Sequence, residues 1–257
     1  MVDKRRKKQQ FLPLYAVFPL LSCVAVNSLV YFGTEALTGN WKHYDLTLPI
    51  DRAIPLVPGF TVIYLGCYIF WIINYILIAR QGEEHCFRFV TADMLSRIVS
   101  GIIFILLPTT NVRPVLAGDD IFVKLLGMIY SIDEPTRLFP SIHCLVSWFC
   151  YIGIRGRANI PKAYRGFSCI FALLVCVSTQ LTKQHYIIDA FGGIAIAELT
   201  YWLAFHTQAY RGPKRVFDWL YRGIFDRQGK ISRKEGEAGQ AKRKRLPIPH
   251  SFCWYSR

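Results

Sequence analysis

The sequence lacks any pair of cysteines at the close spacing that metal ligands use, although it contains eight cysteines. Neither a CxxC pair nor another ligand-like spacing occurs, so we expect no zinc site and no disulfide framework. Most of the cysteines lie within apolar runs, where cysteine behaves as a small hydrophobic residue. These are Cys23, Cys67, Cys144, Cys150, Cys169 and Cys176.

The sequence also lacks a module of basic residues interleaved with aromatic ones. Its net charge of +14 therefore does not by itself indicate nucleic-acid binding. Of the 31 lysines and arginines, five lie before residue 11 and thirteen lie after residue 207. Basic residues that flank membrane spans contact anionic lipid on the cytoplasmic side. The charge therefore predicts membrane lipids as partners and no nucleic acid.

Apolar residues occur in long blocks that carry almost no polar stripe. Residues 11–32 and 60–79 approach or exceed the roughly 20 residues that a helix needs to cross a bilayer. The first block has no small-residue cleavage signal, so we interpret it as a retained helix. The sequence predicts an all-α membrane protein with about six transmembrane helices, at 11–33, 58–80, 89–108, 140–155, 164–182 and 186–207.

The loops between these helices differ in charge. Residues 80–88 carry two arginines and residues 155–165 carry four basic residues, whereas residues 34–57 and 109–139 carry most of the loop carboxylates. The positive-inside rule then places both termini in the cytoplasm and the acidic loops outside the cell membrane. Along the chain we predict a basic N-terminus at 1–10, a membrane catalytic domain at 11–207, and a basic tail at 208–257.

The stretch 211–225 has the composition of an amphipathic helix on the inner leaflet, and the chain from Asp226 onward is predicted to be disordered. Within the third predicted helix, Asp93 and Arg97 are spaced to form an i,i+4 pair. We interpret that pair as part of a helix end near the membrane boundary.

The fourth predicted helix begins at the predicted outer face with residues 140–143, Pro-Ser-Ile-His. Proline suits the first turn of a helix because the N–H that it lacks is not needed there. The free amides and the positive dipole end of such a helix attract anions, and Ser141 adds a hydroxyl donor. His143 follows within the same turn. This helix start is therefore predicted to bind an anion.

Further polar residues reach the same predicted face from other segments. His185 and Asp189 lie one turn apart, and a carboxylate on one imidazole nitrogen leaves the other free as a nucleophile or base. Thr179 and Lys183 share a face at the end of the fifth predicted helix, and Arg113 follows the third. Ionisable groups at membrane depth are costly and are often functional. Their convergence predicts a phosphate chemistry site in the outer part of the bundle.

In order along the chain, these residues resemble the three-motif signature of the type 2 phosphatidic acid phosphatase superfamily. The motifs correspond to residues 113–114 (Arg-Pro), 140–143 (Pro-Ser-Ile-His), and 178, 185 and 189 (Ser, His and Asp). The resemblance extends over roughly residues 90–205. The sequence of residues 183–186, Lys-Gln-His-Tyr, more closely resembles the inositol phosphorylceramide and sphingomyelin synthase branch.

The resemblance implies a metal-independent enzyme that needs no cofactor and acts on a lipid-linked phosphate or diphosphate. His185 would attack phosphorus to give a phosphohistidine, with Asp189 stabilising the imidazolium. His143 would protonate the leaving oxygen and later activate water or another acceptor. The groups implied to bind phosphate, together with helix amides, are Arg113, Ser141, Lys183 and Thr179.

Two departures from the family pattern remove positive charge. Leu106 stands where the first motif has lysine, and Thr179 stands where the third has arginine. Of the three expected cations the chain keeps Arg113, with Lys183 as a substitute. A phosphate monoester carries nearly two negative charges at neutral pH, whereas a diester carries one. We therefore hypothesise a preference for phosphodiester-type groups, which favours the transferase branch.

Four functions remain open from the sequence. Hydrolysis of a lipid phosphate comes first, and transfer of a phosphoryl headgroup between lipids comes second. A transporter is the third, although the polar groups cluster at one face and do not span the membrane depth. A metal site built from two histidines and a carboxylate is the fourth, and activity that survives a strong chelator would exclude it. The sequence identifies neither the lipid nor the oligomeric state.

Overall fold

The protein is described by a computed structural model that covers residues 11–223, and these residues are mostly helical. Five helices, one of them extended by a 3-10 turn at Pro58–Phe60, are long and apolar enough to cross a membrane, which confirms the all-α membrane fold. In chain order the helices are α1 (Leu14–Thr38), α2 (Pro49–Ala53), α3 (Thr61–Ala79), α4 (Glu83–Leu106), α5 (Ile121–Ile132), α6 (Ile142–Ile152), α7 (Lys162–Leu181) and α8 (Ile187–His206). Residues 211–223 are helical as well.

The bundle is built around α4 and α6. Helix α4 packs against α1 and α8, while α6 packs against α3, α7 and α8. The ends of α4 and α7 lie near each other, because Nδ2 of Asn111 donates to the carbonyl oxygen of Lys183 at 3.1 Å. The starts of α6 and α8 meet at the same end of the bundle, where the amide of Ser141 donates to the carbonyl oxygen of Asp189 at 3.0 Å. We call this end of the bundle the site end. Which side of the membrane it faces remains the prediction made from the loop charges.

Helix α6 is shorter than the sequence predicts. It has 11 residues, from Ile142 to Ile152, and not the span of 140–155. At a rise of about 1.5 Å per residue it covers about 16 Å, roughly half of a hydrocarbon core. Ser141 caps its start and Gly153 ends it. Because α6 is enclosed by α3, α7 and α8, its ends are buried in protein and the helix does not need to span the lipid.

Helix α4 begins six residues earlier than the predicted start at residue 89, because polar residues in its first turns pair with the rest of the bundle. The Nη1 atom of Arg88 donates to the carbonyl oxygens of Ala204 and Phe205 at 3.0 and 2.9 Å, at the end of α8. Asp93 and Arg97 consequently lie in the middle of the helix. They form the expected i,i+4 pair at 2.9 Å, but both side chains are buried and the pair is not at a helix end.

Helix α5 lies in a segment that the sequence analysis treats as an acidic loop. Asp120 caps it by accepting hydrogen bonds from the amides of Phe122 and Val123 at 2.8 and 3.2 Å. A capping aspartate followed by twelve mostly apolar residues is the local signal for this helix. The loop is also tied by two short parallel strands, β1 (Tyr44–Asp45) and β2 (Thr109–Thr110), at the site end.

Several predicted segments fall at the chain ends. The basic N-terminus at 1–10 and the tail from Asp226 lie outside the described residues. Of the predicted amphipathic stretch, residues 211–223 are helical. The chain divides into compact units after Pro213, and in the second of these Lys214 pairs with Asp218 one turn away at 3.0 Å.

Candidate active site

The start of α6 presents His143 at the site end. Ser141 is the N-cap, and its Oγ accepts a hydrogen bond from the amide of Cys144 at 3.3 Å. The imidazole of His143 packs against the ring of Tyr64 with centroids 4.5 Å apart. Its Nε2 atom lies 3.3 Å from the Oη of Tyr68. Two tyrosines of α3 therefore fix the orientation of this imidazole.

The start of α8 presents His185 and Asp189 as a buried pair. One carboxylate oxygen of Asp189, Oδ2, accepts from the amide of Tyr186 at 2.8 Å, which caps the helix. The same oxygen lies 3.4 Å from Nδ1 of His185, within ion-pair distance but outside good hydrogen-bond alignment. The exposed fractions of His185 and Asp189 are 7% and 1%. Asp189 thus combines a capping role with electrostatic support of the imidazole.

The environment of His185 favours its protonated form. Burial lowers the pKa of the imidazole, but the nearby carboxylate of Asp189 more than compensates, so the pKa lies above its usual value of 6.5. A nucleophilic imidazole must lose this proton before it can attack. The fraction of His185 that is neutral and able to attack therefore depends on pH.

The turn between α7 and α8 that carries His185 is fixed by hydrogen bonds from several segments. The amide nitrogens of Gln184 and His185 both donate to the carbonyl oxygen of Thr179, at 2.9 and 3.1 Å. Tyr130 on α5 donates its hydroxyl to the carbonyl oxygen of Thr182 at 2.8 Å. Lys183 adopts a left-handed backbone conformation with φ of 54°. The position of His185 thus depends on residues distant in sequence.

The two histidines face each other across one cavity. Their ring centroids are 5.9 Å apart, and both rings line this cavity, so one phosphoryl group bound in it would lie within reach of both imidazoles. The cavity has a volume of about 450 Å³ and is lined by residues of α1, α3, α5, α6 and the segment before α6. Its polar lining includes His143, His185, Arg137, Asp133 and Tyr68. We call it the site cavity.

Arg113 lies beside the turn that carries His185. Its Nη2 atom donates to Oε1 of Gln184 at 2.7 Å, and its Nη1 atom donates to the carbonyl oxygen of Asp133 at 2.5 Å. The guanidinium also stacks over the ring of Tyr130 at 4.6 Å. Burial lowers its pKa from the usual value, with Asp133 opposing that shift. Arg113 thus contacts Gln184, the residue before His185, but its side chain is not among those that line the site cavity.

The other predicted phosphate-binding residues have different surroundings. The Nζ atom of Lys183 donates to the carbonyl oxygens of Asp51 and Ile54 at 2.9 and 2.5 Å, so its ammonium holds the segment after α2. Burial lowers the pKa of this amine. The hydroxyl of Thr179 is buried and donates to the carbonyl oxygen of Cys176 at 2.8 Å. Neither side chain is among the residues that line the site cavity.

Sequence reasoning missed several residues at this site. Arg137, Asp133 and Tyr68 line the site cavity without belonging to a recognised motif. Asp51, which is 2% exposed and lies in α2, accepts from the amide of Ile187 at 2.9 Å and so caps α8 from a distant part of the chain. The one sequence feature that points to Arg137 as a site residue is its position close to the 140–143 motif. The partners of Tyr68 and Asp51 are 75 and 136 residues away, and no local pattern reveals them.

A second, apolar cavity of about 560 Å³ adjoins the site cavity on the side of α1 and α3. The two share Asn27, Tyr68, Trp71 and Ile142 among their lining residues. We call this second space the lateral cavity. Its other walls are mainly aliphatic side chains of α1, α3 and α6, and the Asp93–Arg97 pair lies at its edge. An apolar chain in the lateral cavity would have its head beside the histidines.

Two histidines and a carboxylate are also residue types that bind divalent metal ions. Within residues 11–223, no group of three or more His, Cys, Asp or Glu side chains is arranged to hold a metal ion. The alternative of a metal site at His143, His185 and Asp189 therefore has no such group in this part of the chain.

Five long apolar helices define a membrane protein, and the family that its sequence matches indicates a phosphatase-type enzyme. The sequence matches the PAP2 superfamily over residues 35–203, more than half of the chain, and the chain belongs to that family. This confirms the resemblance to the type 2 phosphatidic acid phosphatases. The narrower resemblance to sphingolipid synthases is not confirmed. Neither the curated proteins nor the solved structures contained a match.

Proposed function

We propose that this protein hydrolyses a lipid-linked phosphate or diphosphate in the site cavity through a phosphohistidine intermediate. The observation that carries the proposal is the arrangement of His143 and His185, whose rings lie 5.9 Å apart across one cavity. Only one of them, His185, has a carboxylate beside its Nδ1 atom. The two imidazoles are thus distinguished chemically, which suits one to attack and the other to proton transfer.

In the first step, the neutral imidazole of His185 attacks phosphorus with its Nε2 lone pair. The N–P bond forms as the bond from phosphorus to the lipid oxygen breaks. His143 donates a proton to that oxygen, so the lipid leaves as an alcohol or as a lower phosphate. Asp189 stabilises the positive charge that develops on the ring of His185. Arg113, which contacts Gln184 beside His185 but does not line the site cavity, adds positive potential that stabilises negative charge on the phosphoryl oxygens.

In the second step, water attacks the phosphohistidine. His143, now neutral, accepts a proton from the water as the new O–P bond forms. The N–P bond breaks, its electron pair returns to His185, and inorganic phosphate leaves. Both histidines then regain their starting protonation states. The residues in this scheme need no metal or cofactor, and activity in the presence of a strong chelator tests that part of the proposal.

The lateral cavity supports a lipid as the substrate. It opens beside the site cavity, and its lining is mostly aliphatic and aromatic. A lipid chain buried there gains roughly 25 cal/mol per Å² of apolar surface removed from water. The head of the lipid would then reach His143 and His185 without leaving the membrane. A transporter, the third alternative, would instead need polar groups along the whole depth of the bundle.

Transfer of the phosphoryl group to a second lipid is the alternative outcome of the same intermediate. The two cavities share lining residues, which supports this reaction, because an acceptor lipid can approach by the route that the substrate uses. Its hydroxyl would replace water in the second step. Product analysis separates the two reactions, since hydrolysis releases inorganic phosphate and transfer produces a new phospholipid.

The test uses purified protein in detergent with a panel of lipid phosphate monoesters, diphosphates and diesters. Free phosphate and exchanged lipids are both measured, and a ³²P-labelled substrate is used to trap an acid-labile, base-stable phosphoprotein. We expect phosphate release and labelling by the wild type and neither by His185→Ala. His206→Ala, on an exposed residue at the far end of α8, is the matched control. Normal turnover by His185→Ala would contradict the assignment of the nucleophile.

A further inference from the structure

Arg137 occupies the wall of the site cavity, three residues before the motif that starts α6. It lines the same cavity as His143 and His185. It is 5% exposed, and its backbone has a left-handed conformation with φ of 55°. A non-glycine residue in this region is uncommon and costs free energy, so the fold maintains this conformation through surrounding contacts. The result is a buried guanidinium next to the two histidines.

The contacts of Arg137 leave part of its guanidinium without a partner. Its Nη1 atom forms an ion pair with Oε2 of Glu35 on α1, and its plane lies 4.3 Å from the ring centre of Tyr31. Its Nε atom has no hydrogen-bond partner among the described residues. Glu35 is one-third exposed and does not line the site cavity. The side chain of Arg137 therefore lines the cavity, whereas the carboxylate of Glu35 does not.

We propose that Arg137 is a second phosphate-binding residue of this site and that Glu35 is a counter-ion that weakens its hold on the substrate. The inference rests on the proposed function and extends it to substrate class. It assigns the site to dianionic phosphate monoesters, including the terminal phosphate of a lipid diphosphate. The guanidinium remains paired with Glu35 and also donates to a phosphoryl oxygen from its free N–H groups.

Counting the charges around the cavity supports this assignment. The family's first-motif lysine is Leu106 here, and the third-motif arginine is Thr179, so the chain needs another cation to match a dianion. Lys183 does not supply it, because its ammonium holds the carbonyl oxygens of Asp51 and Ile54. Asp133, the carboxylate in the cavity lining, pairs with Arg113 at 4.0 Å. Arg137 therefore supplies a cation to the lining from outside the motifs. This replaces the preference for diesters that the motif departures alone suggest.

The ion pair makes two substitutions act in opposite directions. Removing the charge of Arg137 weakens binding of a dianion more than that of a monoanion, because the attraction scales with ligand charge. Removing the charge of Glu35 leaves the guanidinium with its full attraction, so a dianion binds more tightly. If the pair merely stabilised the fold, both substitutions would lower stability, and neither would change the ratio between the two ligands.

The experiment compares two substrates with the same lipid, a diacylglycerol phosphate and its methyl phosphodiester, and adds inhibition by inorganic phosphate. We expect Arg137→Gln to raise KM for the monoester about 10- to 100-fold, the range of one charge-assisted hydrogen bond, and to raise KM for the diester less. Glu35→Gln should lower KM for the monoester and tighten inhibition by phosphate. Arg52→Gln and Glu134→Gln, on exposed residues at the site end, are matched controls.

Two further measurements keep the result interpretable. Thermal unfolding of each variant separates binding from folding, and Arg137→Lys retains the charge if Arg137→Gln fails to fold. Arg137→Lys should keep the monoester preference that Arg137→Gln loses. Changes of KM in the same direction for Arg137→Gln and Glu35→Gln, or an unchanged ratio of monoester to diester KM, overturn the proposal. A wild type that turns over neither substrate nor any other lipid phosphate instead contradicts the proposed function itself.

Discussion

The backbone amide of Ser141 donates a hydrogen bond to the backbone carbonyl oxygen of Asp189 at 3.0 Å. This bond joins the start of α6 to the first turn of α8. His143 follows Ser141 by two residues, and His185 precedes Asp189 by one helical turn. The distance between the two imidazoles is therefore set through the backbone. Both histidines line one cavity because α8 approaches α6 closely at this point.

The close approach of α6 and α8 requires glycine at position 193. A Cβ atom there would lie 2.5 Å from the carbonyl oxygen of Ser141 and 3.1 Å from the amide nitrogen of Leu145. These are backbone atoms and do not move aside easily. We expect Gly193→Ala to separate the helices and to lower kcat by 10-fold or more, on the order of the effect of about 1 Å of misplacement.

Gly166→Ala is the matched control for this substitution. Gly166 lies in α7, where a Cβ atom meets nothing within 4 Å. Alanine should leave kcat unchanged there and raise stability by up to about 1 kcal/mol, since glycine is unfavourable inside a helix. If Gly193→Ala retained the wild-type kcat, the backbone contact would not set the distance between the histidines.

The pH dependence of turnover follows from the raised pKa of His185. Because the neutral imidazole attacks, kcat/KM should rise with pH through an apparent pKa above 6.5. Asp189→Asn removes the main cause of the upward shift, so its acidic limb should move to lower pH while its maximal rate falls. Comparing the profiles of wild type and Asp189→Asn tests this. An acidic limb at the same pH in both would assign it to another group.

The same shift predicts the sign of a stability effect. A folded-state pKa above the unfolded value means that the protonated form of His185 stabilises the fold. That contribution is present below the unfolded pKa and is lost as the pH rises through the folded one. Asp189→Asn should therefore lower the melting temperature more at pH 5 than at pH 9. The decrease at pH 9 measures the effect of losing the helix-capping oxygen, and the additional decrease at pH 5 measures the effect on His185.

The buried pair of Asp93 and Arg97 should show strong coupling. Their side chains are 1% and 3% exposed, and Tyr75 also donates to Oδ1 of Asp93 at 2.8 Å. Arg97→Met alone leaves a buried carboxylate without its cation and should destabilise the protein by about 3–5 kcal/mol. The double variant Asp93→Leu/Arg97→Met should recover most of that loss. Thermal unfolding in one detergent compares the wild type with both variants, and equal destabilisation by the single and double variants would refute the coupling.

The orientation predicted from loop charge is testable with single cysteines. Asp119 and Asn159 are exposed and lie in loops at opposite ends of the bundle. An impermeant thiol reagent should label Asp119→Cys in intact cells and Asn159→Cys only after permeabilisation. The wild type is labelled in parallel to measure background from its own cysteines. The reverse pattern would place the site end, and the histidines with it, in the cytoplasm.

Several features could be predicted from the sequence because they depend on local pattern. Apolar runs as long as a bilayer predict helices whatever surrounds them, and five such helices are present. Helix periodicity puts Asp93 with Arg97, and His185 with Asp189, one turn apart. The order of the three motifs led to the family that the match over residues 35–203 establishes. In each case the information lies within a few turns of the chain or in the spacing of motifs.

Other features were decided only by the tertiary structure. The short span of α6 depends on its enclosure by neighbouring helices, because a helix in direct contact with lipid would have to be longer. Lys183 and Arg137 carry the same charge in the sequence, yet one ammonium holds the carbonyl oxygens of a distant loop and one guanidinium lines the site cavity. A charged side chain binds whichever partner the fold brings within hydrogen-bond distance. Here those partners lie about a hundred residues or more away in the chain, beyond any local pattern.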